Sequence, residues 1–121
     1  MEKLNKTNSE MNPRRVHDLM RSNFSSAGSV DVDWHNLVDE NGLLIDERVQ
    51  AVLVDPFADK GVGEVLIEVR RKTGCMLAVN DVIPYLRGQV GRGSSIRVAN
   101  REFTVFGEIA MNGVGRSWRK P

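Results

Sequence analysis

Short segments of strand-like sequence, separated by turn residues, limit the folds that are open to this chain. In each segment apolar residues either alternate with polar ones or form a short run, and Gly, Asn, Asp or Pro follows about every 8–12 residues. This spacing is typical of small β domains and not of a parallel α/β sheet. The segments that carry the pattern are residues 30–34, 48–55, 65–69, 75–79, 96–106 and 108–111.

The first apolar pattern along the chain is helical instead. Asn12 and Pro13 match an N-cap followed by a first-turn proline, and the run Ser25–Ser29 ends the pattern. The sequence therefore predicts a mainly β fold, a small antiparallel β-barrel or sandwich with an N-terminal helix. Four apolar residues share one face of that helix: Val16, Leu19, Met20 and Phe24.

Composition shifts predict three parts of unequal length. We expect residues 1–10 to form a flexible N-terminal arm, because they are polar and show no periodicity. Residues 11–115 should form a single β-barrel domain with the leading helix, and residues 116–121 a basic C-terminal tail.

Prolines refine the strand assignment at two places. Residues 48–55 are expected to form a strand that ends at Asp55-Pro56, because proline has no N–H to continue a ladder. Ile83–Leu86 contains Pro84 and is expected to be too short for a helix.

Charge is unevenly distributed, although its total is nearly balanced. The 17 Lys and Arg residues and 16 Asp and Glu residues leave a net charge of +1, which argues against a general nucleic-acid-coating protein. Residues 1–30 have a net charge of +2, residues 31–60 of −6 and residues 61–121 of +5. Acidic and basic thirds can pair head to tail between copies or with other partners, or they can solvate opposite faces of a monomer.

Residue types that support catalysis or metal binding are sparse. His17 and His35 have no Cys or His at ligand spacing, and Asp31 and Asp33 beside His35 are typical of a solvated strand face. Cys75 is the one cysteine, so an internal disulfide is excluded, and its place on an expected strand favours packing over reactivity. We therefore predict a protein that is not an enzyme and that uses no metal and no cofactor.

The sequence also predicts a protein without a membrane segment. No apolar run approaches 18 residues, and the polar start, residues 1–15, lacks the apolar stretch of a secretory signal. A cytoplasmic protein is expected. The Gly-rich segment 88–95 lacks the Lys-Ser/Thr pair of a P-loop, so it is expected to be a sharp turn.

A basic strip on a small barrel is an alternative basis for function. Proteins that bind single-stranded nucleic acid interleave cations with exposed aromatic rings. Trp34, Phe103 and Phe106 occupy core-type positions, which leaves Tyr85 and Trp118 as the aromatic residues expected to be free for stacking. The cations of this strip would be Arg70, Arg71, Lys72, Arg87, Arg92, Arg97 and Arg101.

From Ala51 onward, the order of motifs resembles the phage head–tail joining family, the lambda-type head–tail attachment or neck proteins. Strand 52–56 ends in Asp-Pro, segment 76–82 reads Met-Leu-Ala-Val-Asn-Asp-Val, residues 86–88 read Leu-Arg-Gly, and 95–105 forms an alternating hairpin. The match covers about 70 residues. This chain departs from the family where Gln89 replaces the usual acidic residue.

The resemblance implies a structural virion protein, a ring-forming adaptor that joins the DNA-filled head to the tail in the phage neck after assembly in the host cytoplasm. Its partners would be copies of itself, typically six in a ring, a portal or head-completion protein, and a tail-terminator or tail-tube protein. DNA would pass through the channel non-specifically, and no membrane would be involved. A tail-terminator or adaptor protein of the same particle is an alternative.

Loops and the C-terminal tail are the segments expected to meet these partners. They are the loop 57–62, the Gly-rich loop 88–93 and the tail 116–121. The interface candidates within or beside them are Phe57, Asp59, Lys60, Arg87, Arg92, Arg116, Trp118, Arg119 and Lys120.

Overall fold

A six-stranded antiparallel sheet forms the middle layer of the fold. The computed structural model describes residues 13–27, 31–70, 73–89 and 95–120. The strand order is β1-β6-β5-β4-β2-β3, and the sheet is open, with β1 and β3 at its edges. The predicted antiparallel β fold with an N-terminal helix is thus confirmed, as an open sheet and not as a closed barrel. The strands are β1 His35–Asn36, β2 Glu64–Val69, β3 Thr73–Ala78, β4 Ile96–Ala99, β5 Val105–Ile109 and β6 Val114–Arg119.

Helices cover both faces of this sheet, which is more helix than the spacing of turns predicts. On one face lies α1, Pro13–Ala27. On the other lie a continuous helical segment and a second helix. The helical segment consists of α2 Asp46–Val49, a π-helical stretch Gln50–Val54 and α3 Asp55–Ala58. The second helix consists of a 3₁₀ turn Val79–Asp81 followed by α4 Val82–Gln89.

Each strand divides its side chains between two cores. Successive residues of a strand point to opposite faces, so Val65 and Ile67 of β2 join the core under α2–α4, whereas Leu66 joins the core under α1. Both layers of helix are needed because β2 is buried on both faces from Val65 to Val69.

The predicted helical face of α1 is confirmed. Val16 and Met20 are fully buried and Phe24 is 6% exposed. The Phe24 ring meets Phe106 edge-on, with ring centroids 5.3 Å apart, and Trp118 at 5.9 Å. The amphipathic helix therefore supplies one wall of an aromatic core.

The predicted strand at residues 48–55 is wrong, because this stretch is helical. Val49, Leu53 and Phe57 are buried at spacings of four residues, which is a helical period, and Val52 joins them on the same face. Pro56 lies in the first turn of α3, directly after the π-helical stretch, at a position that tolerates proline.

The expectation that residues 83–86 are too short for a helix is also wrong. The 3₁₀ turn ahead of α4 extends the helical stretch backwards to Val79. Pro84 then falls in the first turn of α4, a position that tolerates proline. Val82 and Leu86, four residues apart, are both buried and fix this helix on the sheet.

The observed strand boundaries differ from the predicted ones before β1 and in β5 and β6. Of the expected strand 30–34, residues 31–34 are not in a strand, and pairing begins at His35, opposite Gly115 of β6. Trp34, expected in the core, is 42% exposed. The expected tail is wrong for residues 116–119, which form the end of β6, and the strand expected at 108–111 divides between the end of β5 and a turn. The predicted arm, residues 1–10, lies outside the described residues.

A glycine in β6 provides a test of this packing. A Cβ on Gly115 would lie 2.5 Å from Leu37 Cδ1 and 3.0 Å from the backbone oxygen of Glu108. Because the backbone contact cannot give way easily, Gly115→Ala should lower the free energy of unfolding by about 1–3 kcal/mol, as measured by urea denaturation. Gly63→Ala is the matched control, since no atom lies within 4 Å of its Cβ position; an equal loss in both variants would contradict the packing.

Candidate functional site

A groove of about 840 Å³ opens at the end of the sheet where β6 finishes. Lys120 reaches it after its N–H donates to the Thr104 carbonyl, at 2.8 Å, beside the β4–β5 turn. The groove brings together four stretches that are distant in sequence. Its walls are Asp31, Val32, Lys60, Val62, Asn100, Thr104, Val105, Trp118, Arg119 and Lys120. This set is called the basic groove below.

A buried phenylalanine positions the first wall of the basic groove. Phe57 is fully buried, and its carbonyl accepts hydrogen bonds from the N–H groups of Lys60, at 3.1 Å, and Val62, at 3.0 Å. Gly61 completes the turn at φ 76°, a backbone conformation that favours glycine. The loop therefore presents Lys60 in a fixed place, although Phe57 itself contacts no solvent.

Asn100 positions the opposite wall. Its side-chain oxygen accepts from the N–H groups of Thr104, at 2.8 Å, and Val105, at 3.0 Å, while its amide nitrogen donates to the Thr104 hydroxyl at 2.7 Å. Asn100 is 5% exposed, so these bonds satisfy a buried amide and hold the β4–β5 turn in one shape.

The electrostatics of the basic groove are cationic over an apolar floor. Lys60, Arg119 and Lys120 are exposed, and none of them forms an ion pair within the described part of the chain. Asp31 is the one acid of the groove, so its formal charge is +2. Apolar wall residues with unpaired cations at the rim suit a partner segment that is acidic and carries an apolar side chain.

The basic groove gathers part of the set predicted from sequence. Lys60, Trp118, Arg119 and Lys120 line it together, and Asp59 is exposed in the same loop. Phe57 is fully buried in the core, so its side chain does not face the groove surface. Arg92 lies outside the described residues.

Arg116 is a wrong prediction as an exposed tail residue. It is 8% exposed, and its Nε donates to Glu108 Oε2 at 3.0 Å. Its guanidinium carbon lies 4.2 Å from the centre of the Trp34 ring and 5.0 Å from that of Trp118. The buried ion pair and the two rings hold Arg116 as part of the fold.

Arg87 lies in a different place from the basic groove. It forms an ion pair with Asp46, and both groups stand at the rim of an apolar pocket of about 190 Å³. Leu43 also borders this pocket and is 53% exposed. The pocket is large enough for one apolar side chain.

The expected basic strip for nucleic acid is divided between two faces of the sheet. Arg87 lies on α4, whereas Arg97 lies over the ring of Phe24 in the α1 layer, 5.2 Å from its centroid. Trp118, expected to be free for stacking, stacks on Phe106 with centroids 5.4 Å apart. The described arginines therefore do not form one continuous strip.

A row of alternating charges crosses the sheet under α1. The strand register places Glu68, Arg97, Glu108 and Arg116 on neighbouring strands, acid beside base. Glu68 is 1% exposed, and His17 of α1 lies on it, with Nδ1 2.6 Å from Oε2. This pair joins the helix to the sheet and compensates a buried carboxylate.

Metal-ligating residue types do not converge in the part of the chain that the structure describes. Across residues 13–27, 31–70, 73–89 and 95–120, no cluster of His, Cys, Asp and Glu could hold a metal ion. Burial raises the pKa of the Cys75 thiol. The pKa of Tyr85 is raised to about 12, mainly by burial and to a lesser extent by its hydrogen bond with Cys75. No helix in the described ranges is long and apolar enough to span a bilayer.

The His17–Glu68 pair predicts a large effect on stability from one helix residue. His17→Ala should lower the free energy of unfolding by about 1–3 kcal/mol, because the buried Glu68 Oε2 loses its hydrogen-bond partner on α1. Asp18→Ala, an exposed neighbour on α1, should change it by less than about 0.5 kcal/mol. Urea denaturation at neutral pH measures both; similar losses would mean that the pair contributes nothing.

Cys75 should react slowly with alkylating reagents at pH 8. The raised pKa leaves less thiolate than in an unfolded chain at the same pH, so iodoacetamide labelling followed by mass spectrometry should be slower in the folded protein than in the urea-unfolded chain and should reach its plateau rate at a higher pH. Tyr85→Phe removes the hydrogen bond that lowers the thiol pKa, and should slow the labelling further. Labelling at the rate of a free cysteine would contradict this environment.

No protein-family model, no curated protein and no solved structure matches the chain. The chain's own residues and surfaces therefore carry the case for its function, and the basic groove is one of these surfaces.

Proposed function

We propose that the protein is a structural adaptor of a tailed phage, a ring-forming head–tail joining protein of the neck. In this role it acts by binding other proteins, and it belongs to the assembled virion. The observation that carries the proposal is the basic groove, which joins the 57–62 loop to the end of β6. These are two of the three segments that the sequence assigns to partner binding.

The rigidity of the groove walls supports this role. The backbone of Lys60 is held by the Phe57 carbonyl, and Arg119 extends from a strand that is paired with β5. A surface that is held in place before binding loses little conformational entropy on association. An adaptor needs this property because its partners must meet in a defined geometry.

The resemblance from Ala51 onward gives the proposal its biological setting. Its motif elements 52–56 and 76–82 are helical at least in part, so the likeness lies in their sequence order and not in predicted strands. A tail-terminator or adaptor protein of the same particle would share the basic groove and differ in the side of the joint that it occupies.

Charge reversal in the basic groove tests the proposal. Arg119→Glu with Lys120→Glu should leave the fold intact, because both residues are exposed, and should abolish the joining of heads to tails. The measurement is an assembly reaction with purified tails and DNA-filled, tailless heads of the encoding phage, scored by infectious particles. Arg116 is unsuitable for this test because its ion pair is part of the fold.

Arg101→Glu is the matched control, an exposed arginine outside the groove, and it should join heads at the wild-type rate. Normal joining by the groove variant would overturn the proposal. Salt-sensitive binding of wild-type protein to single-stranded oligonucleotides, without binding to heads, would instead favour the nucleic-acid alternative.

A further inference from the structure

A rigid acidic turn projects from the other end of the sheet. It spans residues 39–43 and is called the acidic tip below. The Asp39 carboxylate accepts hydrogen bonds from the N–H groups of Asn41, at 2.8 Å, and Leu43, at 3.0 Å. Asp39 and Leu43 also pair through the backbone at 2.9 Å, and Gly42 takes φ 80°. The tip is therefore one defined shape, closed by the bridge between Val38 and Leu44.

The acidic tip exposes both charge and apolar surface. Glu40 is exposed and forms no ion pair with any described residue. Leu43, three residues later, is 53% exposed, although it is one of the larger apolar side chains. The acidic tip therefore presents a carboxylate beside an exposed leucine, and these two groups are complementary to the cations and the apolar walls of the basic groove.

We propose that the acidic tip of one copy docks in the basic groove of a second copy. Glu40 lies against the cations Lys60, Arg119 and Lys120, and Leu43 lies against the apolar wall that includes Val62 and Trp118. This contact rests on the proposed function, in which copies of the chain form a ring. It specifies the two surfaces through which neighbouring copies bind.

The two surfaces cannot meet within one molecule. The tip is attached beside the start of β6, where the Leu37 N–H donates to the Gly113 carbonyl at 2.9 Å. The groove includes Trp118–Lys120 at the end of β6. The strand Val114–Arg119 separates them by about 17 Å at roughly 3.3 Å per residue.

The contact is therefore head to tail. Each copy offers a tip at one end and a groove at the other, so a bound pair still has one free surface of each kind. Such heterologous contacts add further copies until the rotation between neighbours closes a ring. The uneven charge of the sequence, acidic in residues 31–60 and basic towards the C-terminus, is the pattern that this contact uses.

Sedimentation velocity of the full chain over a range of concentrations tests the contact. Wild-type protein should associate beyond dimers, and association should weaken as salt is raised, because screening shortens the range of the charges. Glu40→Lys and Lys120→Glu should each raise the dissociation constant about tenfold. Leu43→Ser should weaken association without a change in net charge.

A mixture of the two charge variants tests most directly whether the tip of one copy binds the groove of another. In a mixture of Glu40→Lys and Lys120→Glu, a wild-type tip can meet a wild-type groove of formal charge +2, and a lysine tip can meet a groove whose formal charge has fallen to 0. Because these contacts between unlike variants avoid the repulsion of a lysine tip by a wild-type groove, the mixture should associate more tightly than either variant alone. Glu47→Lys, at an exposed acid outside the tip, changes the net charge equally and should have no effect.

The result that would overturn the contact is a wild-type protein that stays monomeric at low salt, or association that Glu40→Lys and Glu47→Lys change equally. This outcome is separate from failure of the neck role. If the protein joins heads to tails but its self-association is unchanged by Glu40→Lys, the tip–groove contact alone is overturned. If copies associate through the tip and the groove but never bind heads, the neck role alone is overturned.

Discussion

Burial of the central strands on both faces is the constraint on which the structure depends. β2 buries Leu66 on one side and Val65 and Ile67 on the other, so a single layer of helix cannot shield it. The chain supplies α1 on one face and the helical stretch Asp46–Ala58 with α4 on the other. The parts of the sheet that stay exposed are consequently the turns at the ends of its strands.

Charges within the α1 layer are tolerated because neighbouring strands pair them. Glu68 would be costly to bury alone, but His17 lies against it and Arg97 occupies the next strand in register. Arg116 is likewise compensated by Glu108 and by two indole rings. Lys60 and Lys120, in contrast, lie beyond the ends of strands and are exposed.

The sequence predicts elements well where one period is clear. The helical face of α1 and the β4–β5 hairpin both have apolar residues at a single spacing, and both are confirmed. Residues 49–57 allow two periods, because adjacent valines and leucine read as alternating or as helical. Packing of Val49, Leu53 and Phe57 against the sheet decides in favour of the helix.

The cations of the basic groove could be predicted from the sequence, whereas their arrangement in space could not. Arg119 and Lys120 stand out in the sequence as cations without a nearby acid, and Lys60 stands out in a glycine-flanked loop. Their meeting depends on long-range pairing of β5 with β6, which local sequence does not reveal. The same pairing turns Arg116 inwards, two residues before Trp118 on the same face of the strand.

The exposed tip shows why the two ends of β6 have to be considered together. Because Leu37 and Gly113 tie the tip to the start of the strand and Trp118 belongs to the groove at its end, the angle between the two surfaces is set by the twist of one short strand. Every tip-to-groove contact joins the same two surfaces and so repeats the same rotation, which means that successive copies turn in one direction. Whether such a series closes is then decided by that angle and not by any flexible hinge, since hydrogen bonds fix the tip and the walls of the groove alike. A rotation that divides a full turn evenly gives a ring of defined size, whereas any other rotation gives an open filament.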